Sequence, residues 1–439
     1  KRLPEQQRAH SALRLNMTTT TVVTQKDTKT RLITIIMSKV DAEDSDEINR
    51  CDVLIIGGGA AGLTAAHHLQ KNGFTVAVLE ASSTLGGRVR KLTGFADFEI
   101  DLGGEWIQVA TPAVLGEIVD DASVVEKIET VRYNAPYWEW RDEGGGHWSK
   151  EEDDERLYKF VGYTWYDFLN DHVAEPVRDQ IVLNAAVAEV DWSDAGAVQA
   201  TTMDGRKWTA NKLVVTVPLS ILKERKISFK PALPKKYSRA LRASVFQPGL
   251  KVFMKFKAKF YKPTFWFARD EPGDVGSLEN DCYFYDATYG QEETDNHVLG
   301  CFIVGELATP YVELTDEEIV QKLLRDMDKA YDGQATANFI DYYVENWSQQ
   351  SHIGGTYSAF PNNQIWPINV FRKPLKNRLY FAGEAVPVDS DYEWGFVHGA
   401  ALSGKEAARK IIAAKENQEN RRTSKGLRSR LMGRLLQRV

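Results

Sequence analysis

Gly57, Gly59 and Gly62, followed by a carboxylate at Glu80, are the residues whose types and spacing point most directly to a chemistry. The run GGGAAG at 57–62 has G-x-G-x-x-G spacing, and Glu80 follows Gly62 by 18 residues. Such a set suits a dinucleotide. The first glycine permits a tight turn, the second lets backbone approach a pyrophosphate, and the third lets a helix press onto a strand. Free N–H groups and the positive dipole end of the helix, which includes Ala61, then face the phosphates. The distal carboxylate is placed to accept ribose hydroxyls.

These residues need a strand, a turn, a helix and a second strand, and residues 51–80 supply that order. An apolar run at 53–56 enters the glycines, a helical pattern stops at Asn72-Gly73, and a second apolar run ends at Glu80. An unliganded glycine-rich turn would not account for the helix stop and the terminal acid together. From these residues alone, NAD and FAD fit equally well.

The chain has 439 residues, 43% of them apolar, enough for two or three domains. Lys and Arg number 55 against 61 Asp and Glu, a balance that gives no reason to expect a nucleic-acid partner. Cys51, Cys282 and Cys301 show no metal or disulfide spacing and suit a reducing, cytoplasmic setting. No apolar run approaches the ~20 residues needed to span a bilayer. Residues 1–50 read as a disordered or targeting extension. Their first forty residues are Thr-rich and basic with only Glu5 and Asp27 as acids, which suits organellar targeting and equally a tail without function.

Further candidates follow in order. LGGRVR at 85–90 brings Arg88 and Arg90 back towards the first glycine turn, where an arginine can bond a pyrophosphate. DLGGEW at 101–106, with Gly104, Glu105 and Trp106, suits backbone passing close to a flat ring. Residues 141–156 are charged and glycine-rich, a surface loop. Short strands from 181 to Val187, a hairpin at Asp204-Gly205 and a buried strand at 213–217 extend the nucleotide domain. Runs at 252–256, 264–267, 282–285, 298–304 and 339–344 are β-rich and aromatic, without intervening helices, and predict a largely antiparallel sheet. One helix interrupts them, capped by Thr315 and Glu318 and stopped at Asp332-Gly333. A strand at 378–384 ends in Gly383-Glu384, and a helix with a small-residue face runs from 394 to about 415. The tail from Arg421 carries seven Lys/Arg and no acid. Leucines at i, i+4 suit weak membrane or partner contact, and a solvated tail accounts for them as well.

Taken in order, GGGAAG with Glu80, LGGRVR, DLGGEW, VPLSIL (217–222), LKVFMKF (250–256), NWSQQSHIGGTYS (346–358) and YFAGE with WGFVHGAALSG (380–404) resemble the FAD-dependent amine oxidases. The polyamine oxidases are most similar in appearance. The resemblance runs from about 51 to 415. It implies an α/β fold in which an FAD/NAD(P)-binding Rossmann-like domain joins a second α+β substrate domain built on a largely antiparallel sheet. The implied FAD-binding parts are 51–112, 157–226 and 372–415. The substrate-domain parts are 113–156, shortened, and 227–371, and 416–439 is a basic tail.

The resemblance also implies site roles. Gly57, Gly59, Ala61 and Gly62 would meet the FAD pyrophosphate, Glu80 the adenosine ribose, and Arg88 the phosphates. Gly104, Glu105 and Trp106 would pass along the cofactor. Val187 would meet the adenine by its backbone, and Gly383 and Glu384 the ribityl–phosphate stretch. Phe396 and Val397 would open a helix aimed at the flavin pyrimidine. For catalysis, Lys251 would hold a water at flavin N5, while Tyr357 and Phe396 would wall the amine path. From alternation alone, Lys251 could equally sit on a solvated strand face among Lys255, Lys257 and Lys259.

The implied reaction is hydride transfer from an amine, a polyamine by the closest likeness, to flavin N5. The imine then hydrolyses to an aldehyde, and O2 is reduced to H2O2. An aromatic slot disfavours the ammonium by desolvation and orients the amine. Two departures stand out. Thr356 replaces the cysteine that bonds flavin in monoamine oxidases, implying noncovalent FAD. The segment after DLGGEW is short, so the helical roof of the substrate cavity is missing. Rival readings are a related oxidase of L-amino acids or protein lysine, and an FAD-binding protein without activity.

Overall fold

The computed structural model describes residues 18–22, 33–37, 49–142, 145–151, 157–268, 281–291, 294–360, 365–388 and 394–436. The chain divides into two compact units, Lys1–Ile48 and Asn49–Val439. In the first unit, Thr18–Val22 pairs antiparallel with Ile33–Met37. This departs from the disorder expected there, and both runs are rich in β-branched residues, which favour strands. The rest of that unit lies outside the described residues.

The second unit opens with β1 (Asn49–Ile56), α1 (Ala60–Lys71) and β2 (Val76–Leu79). Residues 53–56 of β1 are buried, and α1 stops where Gly73 takes φ +75°. Next come β3 (Thr130–Tyr133), β4 (Tyr137–Arg141), β5 (His147–Glu151) and β6 (Leu157–Phe160). Short strands β7 (Ile181–Val182), β8 (Val187–Asp191), β9 (Val198–Thr202), β10 (Lys207–Val215) and β11 (Ser228–Lys230) follow. The next group is β12 (Gly249–Phe256), β13 (Thr264–Phe267), β14 (Asp281–Asp286) and β15 (His297–Val304). The chain closes with α2 (Asp316–Ala330), β16 (Phe339–Glu345), β17 (Leu379–Phe381) and α3 (Val397–Leu436).

Among the described residues, one sheet runs β7-β2-β1-β10-β9-β8-β11, with β17 also on β10. β1 is parallel to both β2 and β10, and β10 is parallel to β17. The carboxyl ends of four parallel strands therefore gather at one edge, delivering Gly57, Glu80, Thr216 and Gly383 there. That edge is where open α/β sheets hold ligands. A second sheet runs β16-β12-β15-β14-β13-β4-β5 and is antiparallel except where β13 meets β4. α2 starts with the expected capping box between Thr315 and Glu318 and buries Ile319, Leu323 and Met327 on the core of this sheet.

Three boundaries differ from expectation. The 141–156 stretch is not all loop, because β5 within it pairs with β4, placing Trp148 opposite Trp140 at 5.2 Å between rings. β11, expected in the substrate domain, pairs parallel with β8 in the nucleotide sheet. Tyr237 and Phe371, from the same block, pack on Phe381 of that sheet at 5.3 and 5.4 Å. α3 continues to Leu436 rather than ending near Lys415. Its small-residue face presses on α1, where a Cβ on Gly404 would lie 2.0 Å from the Ala61 carbonyl oxygen.

Candidate functional site

A cavity of ≈ 910 Å³ begins at the strand-end edge of the nucleotide sheet and reaches the face of the second sheet. At its first end the three glycines have separable causes. Gly57 turns at φ +107°, and a Cβ there would stand 2.6 Å from Thr216 Oγ1. On Gly62 a Cβ would stand 1.9 Å from the Gly57 carbonyl oxygen, so helix and strand close only over glycine. Gly59 has no such neighbour, since its Cβ would meet only the Gly86 carbonyl oxygen at 3.6 Å. It lines the cavity, so whatever requires a bare backbone there lies within the cavity, as a pyrophosphate would. Ala61 lines the same wall.

Glu80 is buried and accepts from the Gly58 N–H at 2.6 Å and the Ser82 N–H at 2.8 Å, one on each oxygen. Each oxygen keeps acceptor capacity for a ribose hydroxyl. The Ala185 N–H donates to the Glu80 carbonyl at 2.8 Å, which brings Val187 to the same end. Further along, Arg88 donates to Glu384 Oε1 at 3.1 Å and to the Thr356 carbonyl at 2.6 Å. Glu384 also accepts from the Ser358 N–H and hydroxyl. Arg88, Gly383 and Glu384 all line the cavity. Gly104 abuts the first residue of α3, where a Cβ would lie 2.3 Å from Val397 Cγ2. These features suit a bound FAD: bare backbone at a helix start, a carboxylate with free lone pairs, and a second helix start at the far end.

At that far end stand Lys251, Tyr357 and Phe396, together with Trp347 and Trp394. The Tyr357 ring lies 3.5 Å from where a Gly395 Cβ would be, next to Phe396. Phe396 stacks on His398, with centroids 5.3 Å apart and planes 9° apart. Burial pushes His398 down to about 4, so it is neutral near pH 7. Trp347 donates its indole N–H to the Leu102 carbonyl at 3.1 Å, joining the two sheets' loops. Thr356 is buried in the wall, its hydroxyl on the Gln247 carbonyl.

Lys251 is not on a solvated face. It is 3% exposed, because β12 is paired on both edges, by β16 and β15, and is buried along nearly its whole length. Its Nζ donates to Glu105 Oε2 at 2.8 Å and to the Asp101 carbonyl at 3.2 Å. Glu105 and Trp106, expected as cofactor contacts, line the cavity, and their side chains also tie into the surrounding strands. Glu105 Oε1 pairs with Lys159 at 2.9 Å, and Oε2 also accepts from the Tyr285 hydroxyl. The Trp106 ring packs edgewise on Tyr133 at 4.7 Å and Tyr285 at 5.5 Å. Burial alone would raise the Glu105 carboxyl, but Lys159 and Lys251 outweigh it and hold it at about 2. Burial, then the Glu105 charge, pushes Asp101 well above the usual carboxylate range.

Lys159 and Tyr285 were not among the sequence candidates. The one available signal was a lysine inside the apolar run LYKF of β6, and nothing local tied it to Glu105. The short segment expected to leave the cavity without a roof supplies Tyr133 and Tyr137 to its lining. Trp266, Phe267, Tyr283 and Phe302 complete an aromatic compartment.

Comparison with known proteins agrees with this fold. A family model described as flavin containing amine oxidoreductase matches residues 60–145 and 149–412. Polyamine oxidase 1 of Zea mays is 22% identical, over 82% of this chain and 90% of its own. The human flavin-containing amine oxidase B is 22% identical, over 83% of this chain and 87% of its own. Among solved structures, cyclohexylamine oxidase from Brevibacterium oxydans IH-35A superposes with a TM-score of 0.68 at 18% identity, covering 83% of this chain and 99% of that one. Putrescine oxidase bound to putrescine gives 0.66 at 18%, over the same shares. At that identity these two structures speak for the fold.

Proposed function

The chain belongs to the flavin containing amine oxidoreductases, FAD enzymes that oxidise amines, and we propose that it oxidises its amine at the Lys251–Tyr357–Phe396 end of the cavity. The observation that carries this reading is Lys251. It is a buried lysine held by Glu105 and the Asp101 carbonyl, on the wall of the cavity that Tyr357 and Phe396 also line. FAD supplies the two-electron acceptor, and O2 takes the electrons on to H2O2. Tyr357 and Phe396 orient the amine and exclude water, which favours its neutral form. Lys251 holds a proton and a hydrogen-bond donor at the reacting end. The first residues of α3 turn a positive dipole end towards negative charge developing there. Gly57, Gly59, Ala61, Gly62, Glu80, Arg88, Val187, Gly383 and Glu384 hold the cofactor along the nucleotide sheet, and FAD is noncovalent.

The names of the relatives support two classes of amine, a polyamine from polyamine oxidase 1 and a simple amine from cyclohexylamine oxidase. An amino acid is a poorer fit: among the described residues Arg88 is the one arginine lining the cavity, and it is engaged by Glu384 and Thr356. The basic run after 416 lies on α3, and weak contact with an anionic membrane or a partner is tested by co-sedimentation with phosphatidylserine vesicles. Among the described residues no helix is long and apolar enough to cross a membrane. The site assignment is tested by Lys251→Met in rapid mixing. Reoxidation of the reduced enzyme by O2 should slow at least tenfold while FAD content stays intact, and an unchanged reoxidation rate removes Lys251 from the mechanism.

A further inference from the structure

We propose that Lys159 is a specificity-determining residue: it places a surplus positive charge behind the amine end of the cavity, so that the site selects amines with one ammonium-forming nitrogen over short diamines. The inference rests on the reading that this cavity receives the amine.

Two lysines share one carboxylate. Lys159 and Lys251 pair with opposite oxygens of Glu105 at 2.9 and 2.8 Å, and all three side chains are at most 6% exposed. The remaining hydrogen bond to Glu105 comes from Tyr285, whose phenol is kept protonated by burial and by Glu105 itself. Among the described residues the Asp101 carboxyl accepts from the Trp165 N–H at 3.2 Å and forms no ion pair with either lysine, and burial pushes it towards the neutral form. Asp286, on the turn whose next residue accepts from Lys159, is already paired with Lys259. The described cluster is therefore one positive charge in excess.

The surfaces that could welcome a second ammonium are also engaged. Among the described residues, the carboxylates lining the cavity are Glu80, Glu105 and Glu384. Glu80 stands at the nucleotide end, where its free lone pairs suit a ribose, and Glu384 is bound by Arg88 and Ser358. Lys159 sits over the Trp106 ring at 5.2 Å, and Lys251 sits over Tyr285 at 5.4 Å, so the nearest aromatic faces already hold cations. A surplus charge there opposes any cation in the inner cavity. It favours the neutral amine needed for oxidation and penalises a second charge a few carbons away. A unit charge about 10 Å distant at an effective dielectric of about 20 changes cation binding by roughly tenfold.

The test compares the holoenzyme with Lys159→Met and Lys159→Arg. Choline and its neutral isostere 3,3-dimethyl-1-butanol are titrated against the visible flavin spectrum, and anaerobic flavin reduction is timed with butylamine and with putrescine. Lys159→Met should tighten choline binding about tenfold with little change for the alcohol, and raise the putrescine-to-butylamine rate ratio by a similar factor. Lys159→Arg, which keeps the charge, should behave as the parent. Equal choline affinity in all three proteins, or Met and Arg variants that change alike, overturns the proposal. A parent enzyme reduced by neither amine refutes the oxidase reading instead, while the choline titration still decides the charge effect.

Discussion

Gly59 and Gly62 sit three residues apart in one motif, yet substituting each with alanine should damage different things. Gly59 has φ −87° and ψ −175°, an extended conformation that alanine adopts freely, and its added Cβ would clear all described protein atoms by 3.6 Å. Gly59→Ala should therefore leave the apoprotein within about 0.5 kcal/mol of the parent. The methyl group would instead occupy the ground a pyrophosphate needs. Displacing the phosphate from one charged hydrogen bond costs about 1.5–3 kcal/mol, or roughly ten- to hundredfold in FAD affinity. Gly62→Ala puts its methyl 1.9 Å from the Gly57 carbonyl oxygen, a backbone atom with little freedom to move. It should destabilise the apoprotein itself by about 1–3 kcal/mol, the usual cost of overpacking. Thermal melts of the apoproteins and FAD titration followed by fluorescence quenching separate the two effects. Parent-like FAD affinity in Gly59→Ala, or a parent-like apoprotein melt in Gly62→Ala, refutes the reasoning.

Glu105 gives a pH-dependent expectation. Its carboxyl is held near 2 rather than 4.5, so the stability it contributes is present above the unfolded value and is lost as pH falls from about 4.5 towards 2. That shift corresponds to roughly 3 kcal/mol, and Glu105→Gln should flatten the acid limb of a denaturation series while destabilising the protein at pH 7; an unaltered acid limb contradicts the ion cluster. Thr315→Ala removes the capping box of α2 and should cost about 1 kcal/mol, read as a lower urea midpoint. Acid precipitation of the holoenzyme should leave all flavin in the supernatant, and yellow colour retained in the pellet contradicts noncovalent binding.

What could be read from the sequence was mostly local. The β1–α1–β2 unit, the capping box at Thr315 and strands β12 to β16 all announce themselves through periodicity, punctuation and β-branched or aromatic composition within one short window. β5 did not, because HWSKE sits in a charged, glycine-rich surround and becomes a strand only by pairing with β4 and stacking Trp148 on Trp140. β11 joined the nucleotide sheet for the same long-range reason. Within the site, the glycines of the first turn and Glu80 could be singled out from spacing, whereas a role for Glu384 came only through family likeness. Lys251 was reachable only through family likeness, since its alternation with three other lysines equally allowed a solvated face. The Lys159–Glu105–Tyr285 cluster was out of reach: its members come from three separated segments, and their charge state depends on a burial that no single segment encodes.

The central claim is that amine oxidation occurs in the cavity before Lys251, and anaerobic mixing with amines tests it most directly. Purified enzyme carrying FAD is mixed without oxygen with butylamine, benzylamine, putrescine, spermidine and spermine, and absorbance near 450 nm is followed. Bleaching by at least one amine, slowed in a Tyr357→Ala or Phe396→Ala variant that still binds FAD, is the expected result. A flavin that stays oxidised with every amine, or bleaching that is indifferent to both aromatic substitutions, contradicts it.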